Sequence, residues 1–360
     1  SRFHPPTSTR TIMSWIYFFK FPLQPSLGGA ELHTLALAQN FWKQGFKVKL
    51  IASDGRLFRL FEKNCLPRRR MFAGFEPTAK WSLILWPITY VIARIKFKRL
   101  LKEIPAGSIL YLQSLIEKLV LTPMVSAPSS SPPREGGERV GVIWLEHKIP
   151  GRWLTLNPLK FQYLKLARQV RLITVSNFAK REFVKFGVPG KNIKVIYPGF
   201  AIHNSSPPPL KVREGRGELL TIGILSRLSP EKGVLDFVRL IIPELKARPD
   251  WRVLIAGEGR DEKNIQSIID NNNLKEQIKH LGFVNNLDEF FAQISVLVYP
   301  TKAPEAFGIA VMEAQDRGIP VIASNLGALP EIVNRHQNGF LVNPSSPASW
   351  KHFLEMLARQ

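Results

Sequence analysis

Residues 219–360 alternate short apolar runs with stretches in which apolar side chains recur every three to four positions. The runs fall at 219–225, 251–256, 278–283, 295–299 and 319–323, and the helical stretches include 233–245 and 261–270. Runs of that length read as strands buried on both faces, and strand–helix alternation implies a parallel sheet covered on each side. The first two hundred residues repeat the theme more loosely. Runs stand at 11–19, 47–52, 108–113, 140–145, 172–175 and 194–197, and a helix is expected over 30–44. The pattern predicts an α/β protein of two Rossmann-like domains whose parallel sheets face each other across a cleft. The expected boundaries are 1–203 and 219–360, joined by an inserted linker over 204–218.

Two stretches break the alternation. Residues 129–138 and 205–218 are dense in Ser, Pro and Gly, and both run Ser-Pro, then Arg-Glu-Gly, then Glu. Such composition does not build a packed element. Each falls where a surface loop accepts extra length at low entropic cost, so both read as copies of one inserted repeat without catalytic function.

Charge changes the picture for one half. Residues 1–200 hold 32 Lys and Arg against 10 Asp and Glu, while residues 201–360 hold 18 of each, so the whole excess of +22 sits on the first half. The densest part, 56–102, carries 12 basic and 2 acidic residues, including Arg68, Arg69 and Arg70. Within it, the apolar run from Trp81 through Trp86 to Arg94 is too short to span a bilayer and is interrupted by Pro87. Basic residues beside Trp, Leu and Ile suit an element lying in an anionic membrane interface. A buried helix with a solvated basic flank fits the same letters. The lone Cys65 excludes an internal disulfide and reads as a small apolar filler in a reducing compartment. The chain opens on Ser1, and no apolar run before Ile12 leads to a small-residue cleavage site, so no signal peptide is expected. The expected location is cytoplasmic, peripheral at the inner face of the plasma membrane.

The residues with chemistry concentrate in the second half. Glu305 and Glu313 flank Ala-Phe-Gly-Ile-Ala-Val-Met, with Glu305 expected before a helix and Glu313 two turns inside it. Gly308 frees backbone N–H groups at that helix start, a natural place for anionic oxygen. Gly318-Ile-Pro320 then closes the helix, a strand follows, and Ser324-Asn-Leu-Gly-Ala-Leu-Pro-Glu331 opens the next loop.

The run from Glu305 to Glu331 resembles the donor-site signature of the GT-B "group 1" retaining glycosyltransferases, also called glycosyltransferase family 4. Ser226-Arg-Leu-Ser-Pro-Glu-Lys-Gly233, Ala256-Gly-Glu-Gly259, Gly282-Phe-Val284 and Asn338-Gly-Phe-Leu-Val342 are similar to further elements of that family in its order. Gly28-Gly-Ala-Glu31, Val175-Ser-Asn177 and Val195-Ile-Tyr-Pro-Gly199 fit in the first half, so the resemblance covers nearly the whole chain. Ser226 stands where Gly is common, Pro198 where Asn is frequent and His336 where Gly is often found. The chain stops after the helix expected from Pro347, whereas the family usually continues through a helix that returns to the first domain, and this puts domain closure in question.

The resemblance implies transfer of a sugar from a nucleotide-sugar donor, UDP- or GDP-linked, to a lipid-linked, saccharide or cell-envelope acceptor. Arg227 and Lys232, after the first strand of the C-terminal domain, would neutralise the diphosphate leaving group. Glu305 would meet the donor sugar and Glu313 the ribose. Phe307, Gly308 and Ile309 would reach sugar and phosphates through their backbone, and Gly257, Phe283 and Val284 would line the nucleotide. Gly28 and Gly29 would let the backbone approach a phosphate. His147, at the end of an apolar strand, would lie near acceptor and donor sugar, with Glu146, Lys148 and Arg152 as weaker acceptor-side candidates. Arg68, Arg69, Arg70, Trp81 and Trp86 would meet acceptor or membrane. No Asp-x-Asp occurs, and no Cys/His cluster suits zinc, so neither a metal nor a further cofactor is expected. Retention with no evident protein nucleophile implies front-face attack. Two other readings stay open: a nucleotide-sugar epimerase of related fold, and a copy that binds nucleotide without turnover. A nucleic-acid partner would explain the basic half and leave Glu305, Glu313 and Lys232 without a role, so none is expected.

Overall fold

The computed structural model describes residues 14–21, 29–53, 55–126, 140–199, 220–333 and 338–358. The two stretches read as inserted repeats lie outside the described residues, as does Gly28. The chain divides into two compact units, residues 1–200 and 201–360.

The N-terminal unit runs β1 (Trp15–Lys20), α1 (Gly29–Lys43), β2 (Lys47–Ala52), α2 (Arg56–Lys63), β3 (Arg68–Arg70), α3 (Lys80–Ile84) and α4 (Trp86–Glu103). It continues with β4 (Ile109–Leu112), α5 (Leu115–Ser126), β5 (Gly141–Glu146), α6 (Arg152–Thr155), α7 (Lys160–Ala167), β6 (Arg171–Thr174), α8 (Asn177–Phe186) and β7 (Ile193–Val195). Its strands pair in parallel in the order β3-β2-β1-β4-β5-β6-β7. Successive residues Ile16 to Phe19 of β1 are all buried, as a strand covered on both faces requires. Trp144 of β5 is fully buried, and its Nε1 donates to Thr122 Oγ1 at 3.0 Å, which satisfies the one polar atom it takes inside.

The C-terminal unit runs β8 (Thr221–Leu225), α9 (Val234–Ala247), β9 (Arg252–Ala256), α10 (Glu262–Asn271), β10 (Ile278–Gly282), α11 (Leu287–Ala292) and β11 (Val296–Tyr299). It ends with α12 (Ile309–Asp316), β12 (Val321–Ser324), α13 (Leu329–Ile332), β13 (Gly339–Val342) and α14 (Pro347–Ala358). The order is β10-β9-β8-β11-β12-β13, again all parallel. One apolar layer packs Phe237 and Ile241 of α9 with Trp350 of α14; the other packs Val311 of α12 with Phe290 and Phe291 of α11.

In each sheet the strand order reverses once, between β1 and β4 and between β8 and β11. The connections on either side of such a reversal leave the sheet in opposite directions, and open a crevice at the strand C-terminal ends. That geometry decides where to look for chemistry.

The sequence pattern missed β3 and β13. Arg68 to Arg70 carry no apolar period, yet their backbone pairs with Leu50 to Ala52, and a charged strand at a sheet edge needs no buried face. Pro87 does not interrupt a helix. It sits in the first turn of α4, where its missing N–H costs nothing, and the break falls at Leu85.

Candidate active site

In the C-terminal unit the reversal between β8 and β11 gathers Lys232, Tyr299, Thr301 and Glu305. Lys232 lies in a short 3-10 turn (Pro230–Lys232) after β8, and Tyr299 is the last residue of β11. The loop after β11 is tied to that turn by backbone bonds, Lys302 N and Ala303 N both donating to Glu231 O at 2.9 and 3.2 Å. Lys232 Nζ forms an ion pair with Glu305 and donates to the Tyr299 hydroxyl at 3.2 Å, while Thr301 Oγ1 donates to Glu305 Oε1 at 3.3 Å. An ammonium has three donors, and two are taken here. Burial disfavours the charge on Lys232, but Tyr299 and Glu305 outweigh it and hold its pKa above the usual lysine range. Burial first, and then Glu305, pushes the Tyr299 hydroxyl up to about 12, so it stays a neutral hydrogen-bonding group.

Glu305 is fixed by its backbone as well. Ala328 N donates to Glu305 O at 2.9 Å, and Gly327 adopts φ +64 against the Glu305 peptide so closely that any Cβ there would strike its N and O. Gly308, at φ +111, caps α12, and Ile309 opens that helix. Glu313 therefore lies about one turn inside α12, not two, because the helix begins only after Gly308. Its carboxyl is buried; burial raises its pKa to about 7, with Arg317 opposing. Phe307 is buried beside them. Gly257 N donates to Gly282 O at 2.7 Å, which brings the Gly257 loop next to the half-buried Phe283 and Val284.

Arg227 is placed differently from its expected partner. Its side chain is 57% exposed, with Glu231 at 3.9 Å, whereas that of Lys232 is 14% exposed. The two cations do not share one carboxylate: Lys232 takes Glu305 and Arg227 faces Glu231.

In the N-terminal unit the ends of β1, β4 and β5 carry a second polar cluster. Lys20 pairs with Glu31 at 2.6 Å, and His33 Nδ1 lies 3.0 Å from His147 Nε2. Gly29 opens the same helix α1 that holds Glu31 and His33. Burial, reinforced by Lys20, His33, Lys118 and Lys148, holds His147 well below the usual histidine range. Glu146 beside it is buried and committed, accepting from Lys118 Nζ at 2.7 Å and the Tyr163 hydroxyl at 2.6 Å, so it braces the fold. Lys148 and Arg152 stay exposed. Tyr299, Thr301 and His33 escaped the sequence reading; Tyr299-Pro300 closing an apolar run was the one available signal.

Of the basic cluster, Arg68 pairs with Glu62 and Arg69 with Glu103, and Arg70 donates to Ser53 O at 3.3 Å. Trp81 is half exposed and packs edge-on against Phe75, while Trp86 turns to the core and Tyr90. The outward face of α3 and α4 exposes Ile84, Ile88, Val91 and Ile95, spaced four, three and four residues apart, so they form one stripe. Exposed Lys98 and Lys102 continue it, flanked by Arg94 and Arg99. Among the described residues, no helix is long and apolar enough to cross a membrane.

Two parallel sheets of this order, each with a polar site at its reversal, define the GT-B class of fold, and comparison with known proteins agrees. The UDP- and glucose-bound HepE of Anabaena superposes with a TM-score of 0.74 at 21% identity, covering 96% of this chain and 90% of that one. The family profile of group 1 glycosyl transferases matches residues 211–359. An uncharacterised glycosyltransferase of Methanocaldococcus jannaschii is 31% identical over 199 residues, covering 52% of this chain and 50% of its own. A GDP-mannose-dependent α-(1-6)-phosphatidylinositol monomannoside mannosyltransferase of Mycobacterium tuberculosis is 28% identical over 186 residues, covering 48% of each. The chain thus spans about half the length of these curated relatives. The group 1 match thus falls on residues 211–359, within the C-terminal unit.

Proposed function

We propose that the protein transfers a sugar, with retention and without a metal ion, from a UDP- or GDP-linked donor to a lipid-linked or saccharide acceptor. The observation that carries this is the Lys232–Glu305–Tyr299 cluster at the sheet reversal of the C-terminal unit. Lys232 keeps one donor for a phosphate oxygen of the leaving diphosphate, with the exposed Arg227 as a second cation. Glu305 orients the sugar while its charge is balanced by Lys232, and Glu313 accepts from ribose hydroxyls. In the transfer step the bond from the anomeric carbon to phosphate breaks, and its electron pair leaves with the diphosphate. The acceptor oxygen bonds the same face of that carbon, and its proton passes to the departing phosphate oxygen.

The acceptor side falls to the basic N-terminal unit, where the apolar stripe on α3 and α4 ends in four exposed cations. That combination fits an anionic bilayer surface. A relative named for a phosphatidylinositol monomannoside acceptor supports the lipid-linked reading.

The test is a thermal-shift screen of UDP-, GDP-, ADP- and TDP-sugars, followed by transfer assays with the sugar that binds. A ligand at a hundred times its Kd stabilises by about 2.7 kcal/mol, a shift of several degrees. No shift with any nucleotide sugar would overturn the proposal.

A further inference from the structure

The second polar cluster contains a contact that the transfer mechanism does not use. His33, on α1, is 3% exposed, and its Nδ1 lies 3.0 Å from Nε2 of His147, at the end of β5. The rings meet edge-on, with centroids 5.2 Å apart and planes at 84°. A neutral imidazole has one N–H and one lone pair, so a contact between two such nitrogens holds a single proton, placed on one ring or the other.

The surroundings decide which. His33 Nε2 is buried and has no hydrogen-bond partner among the described residues. If His147 donated, His33 would carry its own proton on Nε2, leaving a buried N–H with no acceptor. If His33 donated from Nδ1, Nε2 would be a bare lone pair. An orphaned buried N–H is the rarer and more costly defect. Both rings are neutral at physiological pH: burial, then Lys20, brings His33 to about 4, and His147 is held low by burial and by the same lysine. Among the described residues no acidic side chain bonds either ring; Glu31 pairs with Lys20 and Glu146 with Lys118.

We propose that His33 is a positioning residue: its Nδ1–H donates to His147 Nε2 and fixes His147 in the Nδ1–H tautomer, so that His147 meets a substrate hydroxyl as a hydrogen-bond donor and not as a base. The final step rests on the glycosyl-transfer reading; the tautomer does not. His147 Nδ1 makes no hydrogen bond within the described residues, so the proton placed there is free to meet a ligand.

The tautomer is read on 15N-labelled full-length protein without ligand, from long-range 1H–15N correlations of the His147 ring at pH 7.5. Wild-type His147 should show a protonated Nδ1 and a bare Nε2. His33→Leu removes the donor and should release His147 to the other tautomer. His33→Asn places an amide N–H where Nδ1–H stood and should preserve it. In transfer assays His33→Leu should lower kcat about tenfold with donor KM little changed, and His33→Asn should recover most of the loss. A wild-type His147 protonated on Nε2, or one whose tautomer ignores His33→Leu, would overturn the proposal. The tautomer measurement needs no substrate. Failure of the functional reading would therefore appear as absent transfer beside an intact tautomer, and failure of the inference as the wrong tautomer beside intact transfer.

Discussion

Replacing Lys232 by Met tests the C-terminal site most directly, because the side chain keeps its length and loses only its charge and its donors. The Lys232 and Glu305 side chains are 14% and 18% exposed, so their pair belongs neither to the surface, where about 0–1 kcal/mol is usual, nor to a dry interior, where removing one partner costs about 3–5. An intermediate loss of about 2–3 kcal/mol follows, much of it the cost of leaving the Glu305 carboxylate without its cation. For a unit of this size that lowers Tm by about 5–10 °C. Glu305→Gln in the same background removes the stranded charge. The double variant should therefore recover part of the loss, with a coupling energy of about 2 kcal/mol in the cycle.

The two single variants should separate in binding. Lys232→Met removes the donor reserved for phosphate, so calorimetric affinity for the nucleoside diphosphate should fall by about 1.5–3 kcal/mol, roughly 10- to 150-fold. Glu305→Gln leaves the ammonium without its carboxylate, so diphosphate affinity should hold or rise while kcat for sugar transfer collapses. A folded Lys232→Met protein that binds nucleoside diphosphate as tightly as wild type would refute the assignment of Lys232 to the leaving group. Equal losses of diphosphate affinity in both variants would show instead that the cluster merely holds the loop.

Glu313 makes a prediction about pH. Its folded pKa, about 7, stands above the 4.5 of the unfolded chain, so between these values the folded state holds a proton the unfolded state has lost, and stability falls as pH rises through that window. Glu117, also raised to about 7 by burial, acts in the same direction, while His33, lowered to about 4, acts in the opposite one between 4 and 6.5. The Glu313 part is isolated by difference: at pH 8, ligand-free Glu313→Gln should be the more stable protein by up to about 3 kcal/mol in urea titrations, an advantage that vanishes below pH 4.5, while its nucleotide affinity is weaker. No pH-dependent difference would remove the buried-carboxyl argument. Gly327→Ala should lower kcat more than donor KM and cost about 2 kcal/mol or more in stability, since the new Cβ meets the Glu305 backbone at a positive φ; wild-type kinetics would show that Glu305 needs no such support. Ile88→Ser with Ile95→Ser should reduce sedimentation with anionic liposomes more than replacing Arg68, Arg69 and Arg70, two of which are already neutralised by Glu62 and Glu103. Unchanged sedimentation in the isoleucine variant would argue that the stripe meets something other than lipid.

The alternation of apolar runs was enough to place most strands to within a residue or two, because a strand buried on both faces leaves an unbroken apolar word in the chain. It failed at Arg68–Arg70, whose membership of the sheet depends on backbone pairing alone. The site was legible where its parts are local: Gly308, Ile309 and Glu313 share one helix and its cap, so six consecutive residues carry them. It was illegible where the partners come from different strands. Lys232 and Arg227 look like two equal cations five residues apart, and what separates them is Tyr299 and Glu305, supplied by β11 and its loop. His33 and His147 are 114 residues apart, and nothing near His33 marks it out from the other polar positions of α1.

The two units put opposite chemistry at equivalent places. Each sheet reverses once. The C-terminal cluster gathers Lys232 from the turn after β8 and Tyr299 from the end of β11, and the N-terminal one gathers Lys20 from β1, Glu31 and His33 from α1 and His147 from just after β5. The C-terminal unit fills that position with a lysine whose positive charge is reinforced by an acidic partner, suited to a group that leaves as an anion. The N-terminal unit commits Glu31 to Lys20 and Glu146 to Lys118 and leaves a pair of neutral imidazoles, suited to a hydroxyl that must be held but not charged. The proposed transfer from a phosphate to a hydroxyl calls for both environments, whereas binding nucleotide alone would call for only the first. Exchanging Lys20 for Met bears on this division. It removes the charge that, after burial, lowers both His33 and His147, so the imidazoles should titrate closer to the usual histidine range. Nucleotide affinity should stay as in wild type, while transfer should decline below about pH 6.5 as the rings become charged. Loss of nucleotide affinity in that variant would contradict the proposed division of labour, which assigns Lys20 to the hydroxyl side.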